Sequence, residues 1–161
     1  MRAFILGGGQ GSRTVNPKLP KVLTEVAGSA LLDLQLIELI SIDEVTQITL
    51  LLGHGADEVI VHLQDFLASH VTEKTVDYVI ENEALGSAGM LRQVLSELND
   101  EICFVTLGDI LPRGGIVESF HIWKTSETKK ENSIFVHPNN HPNDSDSVKR
   151  SSENGLVEAI I

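Results

Sequence analysis

Arg2-Ala3-Phe4-Ile5-Leu6 runs directly into Gly7-Gly8-Gly9-Gln10-Gly11, a short apolar segment that breaks at once into glycine. Such a run is a buried strand feeding a tight loop. Three more segments share the same plan. Val45 to Leu52 ends at Gly53-His54-Gly55, Thr75 to Ile80 leads into Glu81, and Ile102 to Leu107 ends at Gly108-Asp109. Helical patterns separate them. Leu31 to Ser41 is dense in Leu and Ile behind Gly28-Ser29, a helix start signal. Val59, Ile60, Leu63, Phe66 and Leu67 recur at three and four, with Asp57 and Glu58 suited to the positive end of the dipole. Ser87 can cap a helix carrying Leu91, Val94, Leu95 and Leu98. Ile116, Val117, Phe120 and Trp123 mark another helix, and Ser133 to His137 another strand.

Strands alternating with helices at this spacing pair in parallel through right-handed crossovers. The expected architecture is α/β: an open, doubly wound, mostly parallel sheet. Ligands of such sheets bind outside the carboxyl ends of the strands. Here those ends carry Gly7 to Gly11, Gly53 to Gly55, Glu81 to Gly86, and Gly108-Asp109.

With 161 residues and 42% hydrophobic content, the chain can bury one sizeable core and is too apolar for a disordered segment. A formal net charge of -11 argues against nucleic acid, whose binding needs clustered Lys and Arg. The apolar stretch Leu31 to Ile40 contains Asp33, Gln35 and Glu38 and does not span a bilayer, so no membrane partner is expected. Cys103 stands alone, which excludes an internal disulfide and suits a reducing cytoplasm. Ile102, Phe104 and Val105 around it point to a small core residue rather than a nucleophile.

Bare backbone N–H groups in a glycine-rich turn can converge on phosphate. Spacing excludes two common versions. A Gly-x-Gly-x-x-Gly fingerprint fails at Thr14 or Ser12, and no Gly-Lys-Ser/Thr closes the loop. The chain reads instead Gly8-Gly9-Gln10-Gly11-Ser12-Arg13, then Pro20-Lys21-Val22-Leu23, then Val26-Ala27-Gly28. Further on stand Glu81-Asn82-Glu83-Ala84-Leu85-Gly86-Ser87-Ala88-Gly89 and Gly108-Asp109. In these motifs the chain resembles the sugar-phosphate nucleotidyltransferases, which open with Gly-Gly-x-Gly-Thr-Arg, Pro-Lys-Pro-Leu and Val-x-Gly. The resemblance covers about the first two-thirds of the chain. It departs from the pattern at Ser12, Thr14, Val22 and Ser29, the last standing where the family often has Lys.

The resemblance implies a Rossmann-like fold and transfer of a nucleotidyl group to a sugar 1-phosphate, with release of pyrophosphate. Two anions must then meet, and at ~4 Å two unit charges repel by ~4 kcal/mol at an effective dielectric near 20. Cations and backbone donors are the requirement. Arg13 is expected on the β and γ phosphates, Lys21 near the α-phosphate, and Asp109 on Mg²⁺ as its metal ligand. Leu6, Gly8, Gly9, Gly11, Ser12, Glu81, Gly86 and Ser87 are expected around the nucleotide. A carboxylate at Glu81 can accept from guanine N1–H and its amino group, which favours GTP.

Residues 138–161 read differently: a polar loop or hairpin rich in Asn, Asp, Ser and Pro, then the start of a sugar-binding portion. Residues 1–137 form the nucleotide-binding core in this reading. The family's second metal carboxylate has no counterpart here, so the domain is expected to be incomplete at its C-terminal end. His137, His141, Asp144 and Asp146 resemble a metal cluster in composition, but Pro138 and Pro142 prevent the helix that would align the imidazoles. The segment from His137 to Asp146 is similar to one in nucleotidyltransferase domains fused to heptose-bisphosphate phosphatases. It implies a manno-heptose 1-phosphate substrate and an attached or associated phosphatase, while a homo-oligomer is left open by the sequence. Two other readings stay open: a non-catalytic nucleotide-binding module, and a cytidylyltransferase, against which Leu85 to Gly89 weighs.

Overall fold

A computed structural model of the chain describes residues 1–8, 19–81, 86–96, 98, 102–126, 133–136, 148–151 and 157–160. The described structure divides into two compact units, Met1–His121 and Ile122–Ile161. The first contains strands β1 (Arg2–Leu6), β4 (Gln47–Leu52), β5 (Thr75–Ile80) and β6 (Cys103–Leu107), joined in one sheet in the order β5-β4-β1-β6. Every pairing in that sheet is parallel. The open α/β sheet expected from the alternation is the observed one.

Strand order and handedness place the helices. The chain steps from β1 to β4 through α1 (Leu31–Ser41), and from β4 to β5 through α2 (Ala56–Ser69). It then returns across the sheet to β6 through α3 (Gly86–Leu95). Right-handed crossovers in opposite directions put α3 on one face and α1 and α2 on the other. Side-chain alternation agrees: Phe4 and Leu51 bury against Met90 of α3, with Leu6, Leu91, Val94, Leu95, Leu98 and Cys103 around them. Ala3, Ile5, Ile48, Leu50 and Leu52 point the opposite way and are equally buried. Leu32, Leu36 and Leu39 of α1 and Val59, Leu63 and Phe66 of α2 supply apolar surface of matching spacing.

Several local expectations change. Gly28-Ser29 does not start a helix: Ala27 (φ 53) and Gly28 (φ 86) form the turn between β2 (Glu25–Val26) and β3 (Ser29–Ala30). The helix begins only at Leu31, after Ala30, and has no side-chain cap. Likewise α3 begins at Gly86, which puts Ser87 inside the helix rather than at its cap. Residues 133–136 belong to no strand, and Ile134, Phe135 and Val136 are each about half exposed. The polar stretch does contain a hairpin: β7 (Val148–Arg150) pairs antiparallel with β8 (Val157–Ile160). A last helix, α4, spans Gly115–Thr125.

Cys103 lies on β6, and burial pushes its thiol up, only partly offset by a backbone hydrogen bond. The thiolate is the reactive form. Native protein is therefore expected to alkylate with iodoacetamide more slowly at pH 8 than the same chain in urea. Equal rates would show that the thiol is not shielded.

Candidate active site

The parallel register brings the strand ends to one edge. Leu6 lies beside Leu51 and Leu107, and Leu52 beside Ile80. The ladders continue one residue further, through Gly7 N–H to Leu51 O at 2.8 Å, Gly108 N–H to Leu6 O at 2.9 Å and Glu81 N–H to Leu52 O at 2.9 Å. Gly7, Gly8, Gly53, Glu81 and Gly108-Asp109 are thus gathered from all four strands.

Glycine is required there because backbones approach closely. A Cβ on Gly53 would lie 2.5 Å from Glu81 Oε1 and 2.9 Å from Gly8 O. Leu6, Gly8, Leu51, Glu81 and Met90 line a small open depression. Among the described residues, buried Glu81 Oε2 has no hydrogen-bond partner. A buried carboxylate oxygen without a donor is poorly satisfied.

On the far side of β1, Lys21 Nζ donates to Asp109 Oδ2 at 3.1 Å. Lys21 opens a 3-10 turn, Lys21–Leu23, whose next residues Val22 and Leu23 are buried. Val22 fills the room left by two glycines, since its Cγ1 would stand 3.2 Å from a Cβ on Gly7 and 2.5 Å from one on Gly108. That wedge holds the Lys21 ammonium beside the Gly108-Asp109 turn. The following segment, with Pro112, keeps Asp109 clear of any helix until Gly115.

Asp109 is suited to Mg²⁺ by its chemistry. Its side chain is 42% exposed, and Lys21 takes up only one of its two oxygens. Mg²⁺ prefers hard oxygen donors and uses one or two carboxylates with waters and substrate phosphates. Among the described residues no group of three or more His, Cys, Asp or Glu forms a metal cluster. His137, His141, Asp144 and Asp146 lie outside the described residues, as do Gly9, Gly11, Ser12 and Arg13. The backbones of Gly86 and Ser87 open α3.

Along its full length the chain is 30% identical to the bifunctional protein GlmU of Marinobacter nauticus. Over 109 residues it is 33% identical to the bifunctional protein GlmU of Listeria innocua. These similarities support a place in the sugar-phosphate nucleotidyltransferase family. It spans about a third of the length of the Marinobacter relative (33%). No family model matches it. The fold agrees with that of HddC from Yersinia pseudotuberculosis, at a TM-score of 0.64 and 21% identity, covering 99% of this chain and 68% of that one.

Within this nucleotidyltransferase frame, three contributors escape a reading of the sequence. Gly53 is visible there only as a strand end, yet it is the residue against which Glu81 closes. Val22 departs from the family's Pro and is nonetheless the wedge under Lys21. Gln35 resembles a polar interruption in an apolar helix, and it is fully buried. Its signal is its place three residues after Leu32 and four before Leu39, on the buried stripe. Among the described residues, His62 Nε2 pairs with Asp33 Oδ1 at 2.7 Å, and His70 stacks on Phe66 at 4.1 Å.

Proposed function

We propose that this chain carries the nucleotide-binding side of an enzyme that joins a sugar 1-phosphate to a nucleoside triphosphate. The observation that carries the reading is the Lys21–Asp109 pair at the carboxyl edge of the sheet, on the other side of β1 from the Gly8, Gly53 and Glu81 cluster. A cation, a metal-suited carboxylate and glycine backbone at one strand edge are what phosphoryl chemistry between two anions requires.

In this reaction an oxygen of the sugar phosphate attacks the α-phosphorus in line. The bond from that phosphorus to the α,β-bridging oxygen breaks, and its electron pair leaves with pyrophosphate. No side-chain nucleophile takes part. Lys21 places its ammonium where charge builds on the α-phosphate, exchanging Asp109 for phosphate oxygens as the nucleotide arrives. Asp109 would hold Mg²⁺, which when bound neutralises phosphate charge. Arg13 is assigned to the β and γ phosphates on its motif alone.

Guanine is our choice of base. Its N1–H and amino group present two parallel donors to a carboxylate, and Glu81 offers a buried oxygen without a partner. HddC, whose fold this chain shares at a TM-score of 0.56 in that complex, was crystallised with GMP-PN. A cytidylyltransferase is the second reading, since the inositol-1-phosphate CTP transferase of T. maritima has a similar fold at a TM-score of 0.51. Cytosine brings a single amino donor to the carboxylate. Glu81→Gln is expected to lower kcat/KM for GTP by about 10- to 100-fold, the worth of a hydrogen bond to a charged group. A value unchanged for GTP would remove Glu81 from base recognition.

We assign manno-heptose 1-phosphate as the acceptor on the segment from His137 to Asp146, with a phosphatase partner as its companion. No helix among the described residues is long and apolar enough to cross a membrane, which suits a cytoplasmic setting. The deciding assay is pyrophosphate release over a matrix of GTP, CTP, UTP and ATP against several sugar 1-phosphates, with Mg²⁺. Release with GTP and the heptose supports the assignment. GTP binding without release from any pair would favour a non-catalytic module.

A further inference from the structure

Among the buried residues of α1, Gln35 alone is not hydrophobic. Its Nε2 donates to Leu107 O at 2.9 Å and to Ile110 O at 2.6 Å. Those carbonyls bracket Gly108-Asp109. The amide can sit only this way round, because its oxygen in that place would face two carbonyl oxygens. One turn along the same helix, the Glu38 carboxylate accepts from Val117 N–H at 3.0 Å and from Ile116 N–H. Gly115, at φ +88, admits this approach, since a Cβ there would lie 2.5 Å from Glu38 Oε2. Helix α1 thus grips the Asp109 segment at both ends.

Core packing does not explain an amide in this position. Leu32, Leu36 and Leu39 show that the stripe accepts aliphatic side chains with no exposure at all. Among the described residues, Gln35 Oε1 is buried there without a hydrogen-bond partner, an unfavourable arrangement that an apolar residue avoids. What an apolar residue cannot do is hold two carbonyls apart at a fixed spacing. The same carbonyls flank the carboxylate that meets Lys21.

We propose that Gln35 is a positioning residue for Asp109. It fixes the backbone on both sides of the carboxylate, and so sets where that carboxylate meets Lys21 and an incoming metal–nucleotide. The kinetic consequence rests on the nucleotidyl-transfer reading; the backbone latch does not.

The experiment compares the full chain with Gln35→Met, Gln35→Glu, Asp109→Asn and the pair Gln35→Met with Asp109→Asn. The first readout is amide hydrogen exchange in the peptide covering 107–111. It is expected to speed up in both Gln35 variants, with circular dichroism reporting which of them fold. Gln35→Glu keeps the length and serves if Gln35→Met fails to fold. The second readout is the Mg²⁺ concentration giving half-maximal pyrophosphate release from GTP and manno-heptose 1-phosphate. It is expected to rise about 10-fold or more, as for outer partners of metal ligands. The doubly substituted chain should be no slower than Asp109→Asn alone, because one residue acts through the other. Unchanged exchange in the folded variants, or losses that multiply in the double variant, would overturn the proposal. Faster exchange in a protein whose unsubstituted form never releases pyrophosphate would support the latch and sink nucleotidyl transfer.

Discussion

Replacing Lys21 by Met is expected to slow pyrophosphate release by about 10²–10³-fold, the usual effect of removing one preorganised charge-stabilising donor. Thermal stability should hardly move. The Lys21 and Asp109 side chains are 33% and 42% exposed, and an ion pair so solvated contributes about 0–1 kcal/mol. The combination is diagnostic: a large rate loss with an unchanged Tm places Lys21 in transition-state stabilisation. A parallel fall in Tm would instead make the pair a structural tie between the 3-10 turn and the end of β6. Lys21→Arg tests geometry as well, since a forked guanidinium does not reproduce a point charge on a flexible stem.

The second large effect is steric. Gly108→Ala would put a Cβ 2.5 Å from Val22 Cγ1 and 2.9 Å from Leu6 O. Val22 is buried and branched, and Leu6 O belongs to the central strand, where it accepts from Gly108 N–H. Neither can yield cheaply, so a loss of about 1–3 kcal/mol is expected, as for overpacked cores. In a chain of this size that corresponds to a Tm lower by roughly 2–12 °C. Activity should fall beyond the unfolding, because relief requires Asp109 to move away from Lys21. A variant as stable as the parent would mean that β6 shifts freely at its end. Shortening Val22 to Ala in the same chain should restore part of the stability, and failure to do so would place the clash on Leu6 O alone.

The sheet was legible because each of its strands, buried in β1 and β4 and more exposed in β5 and β6, is an apolar-rich run cut off by glycine or a carboxylate. Leu6-Gly7, Leu52-Gly53, Ile80-Glu81 and Leu107-Gly108 all mark true strand ends. Residues 133–136 have the same composition without the same outcome. A β-branched, aromatic run needs a partner edge, and composition cannot provide one. The Gly28 turn misled for a related reason. Glycine at positive φ serves a two-residue hairpin as readily as the approach to a helix.

The site was legible in its chemistry and opaque in its support. Lys21 and Asp109 could be named from motifs, and their 3.1 Å approach follows from β1 and β6 being neighbours. Gln35 acts through backbone carbonyls that any sequence possesses, so no residue type at the other end of the contact advertises it.

The position of β1 has a consequence for synthesis of the chain. This first strand lies in the interior of the sheet, and one of its neighbours, β6, is about a hundred residues away in sequence, with Arg2 opposite Cys103. A chain emerging from the ribosome can pair β1 with β4 early, but the other edge of β1 stays open until β6 is translated. Contacts of such long sequence separation slow folding and leave an adhesive strand edge exposed meanwhile. Gly8 and Asp109 come together only when β6 docks, so the proposed phosphate-binding edge waits on that strand.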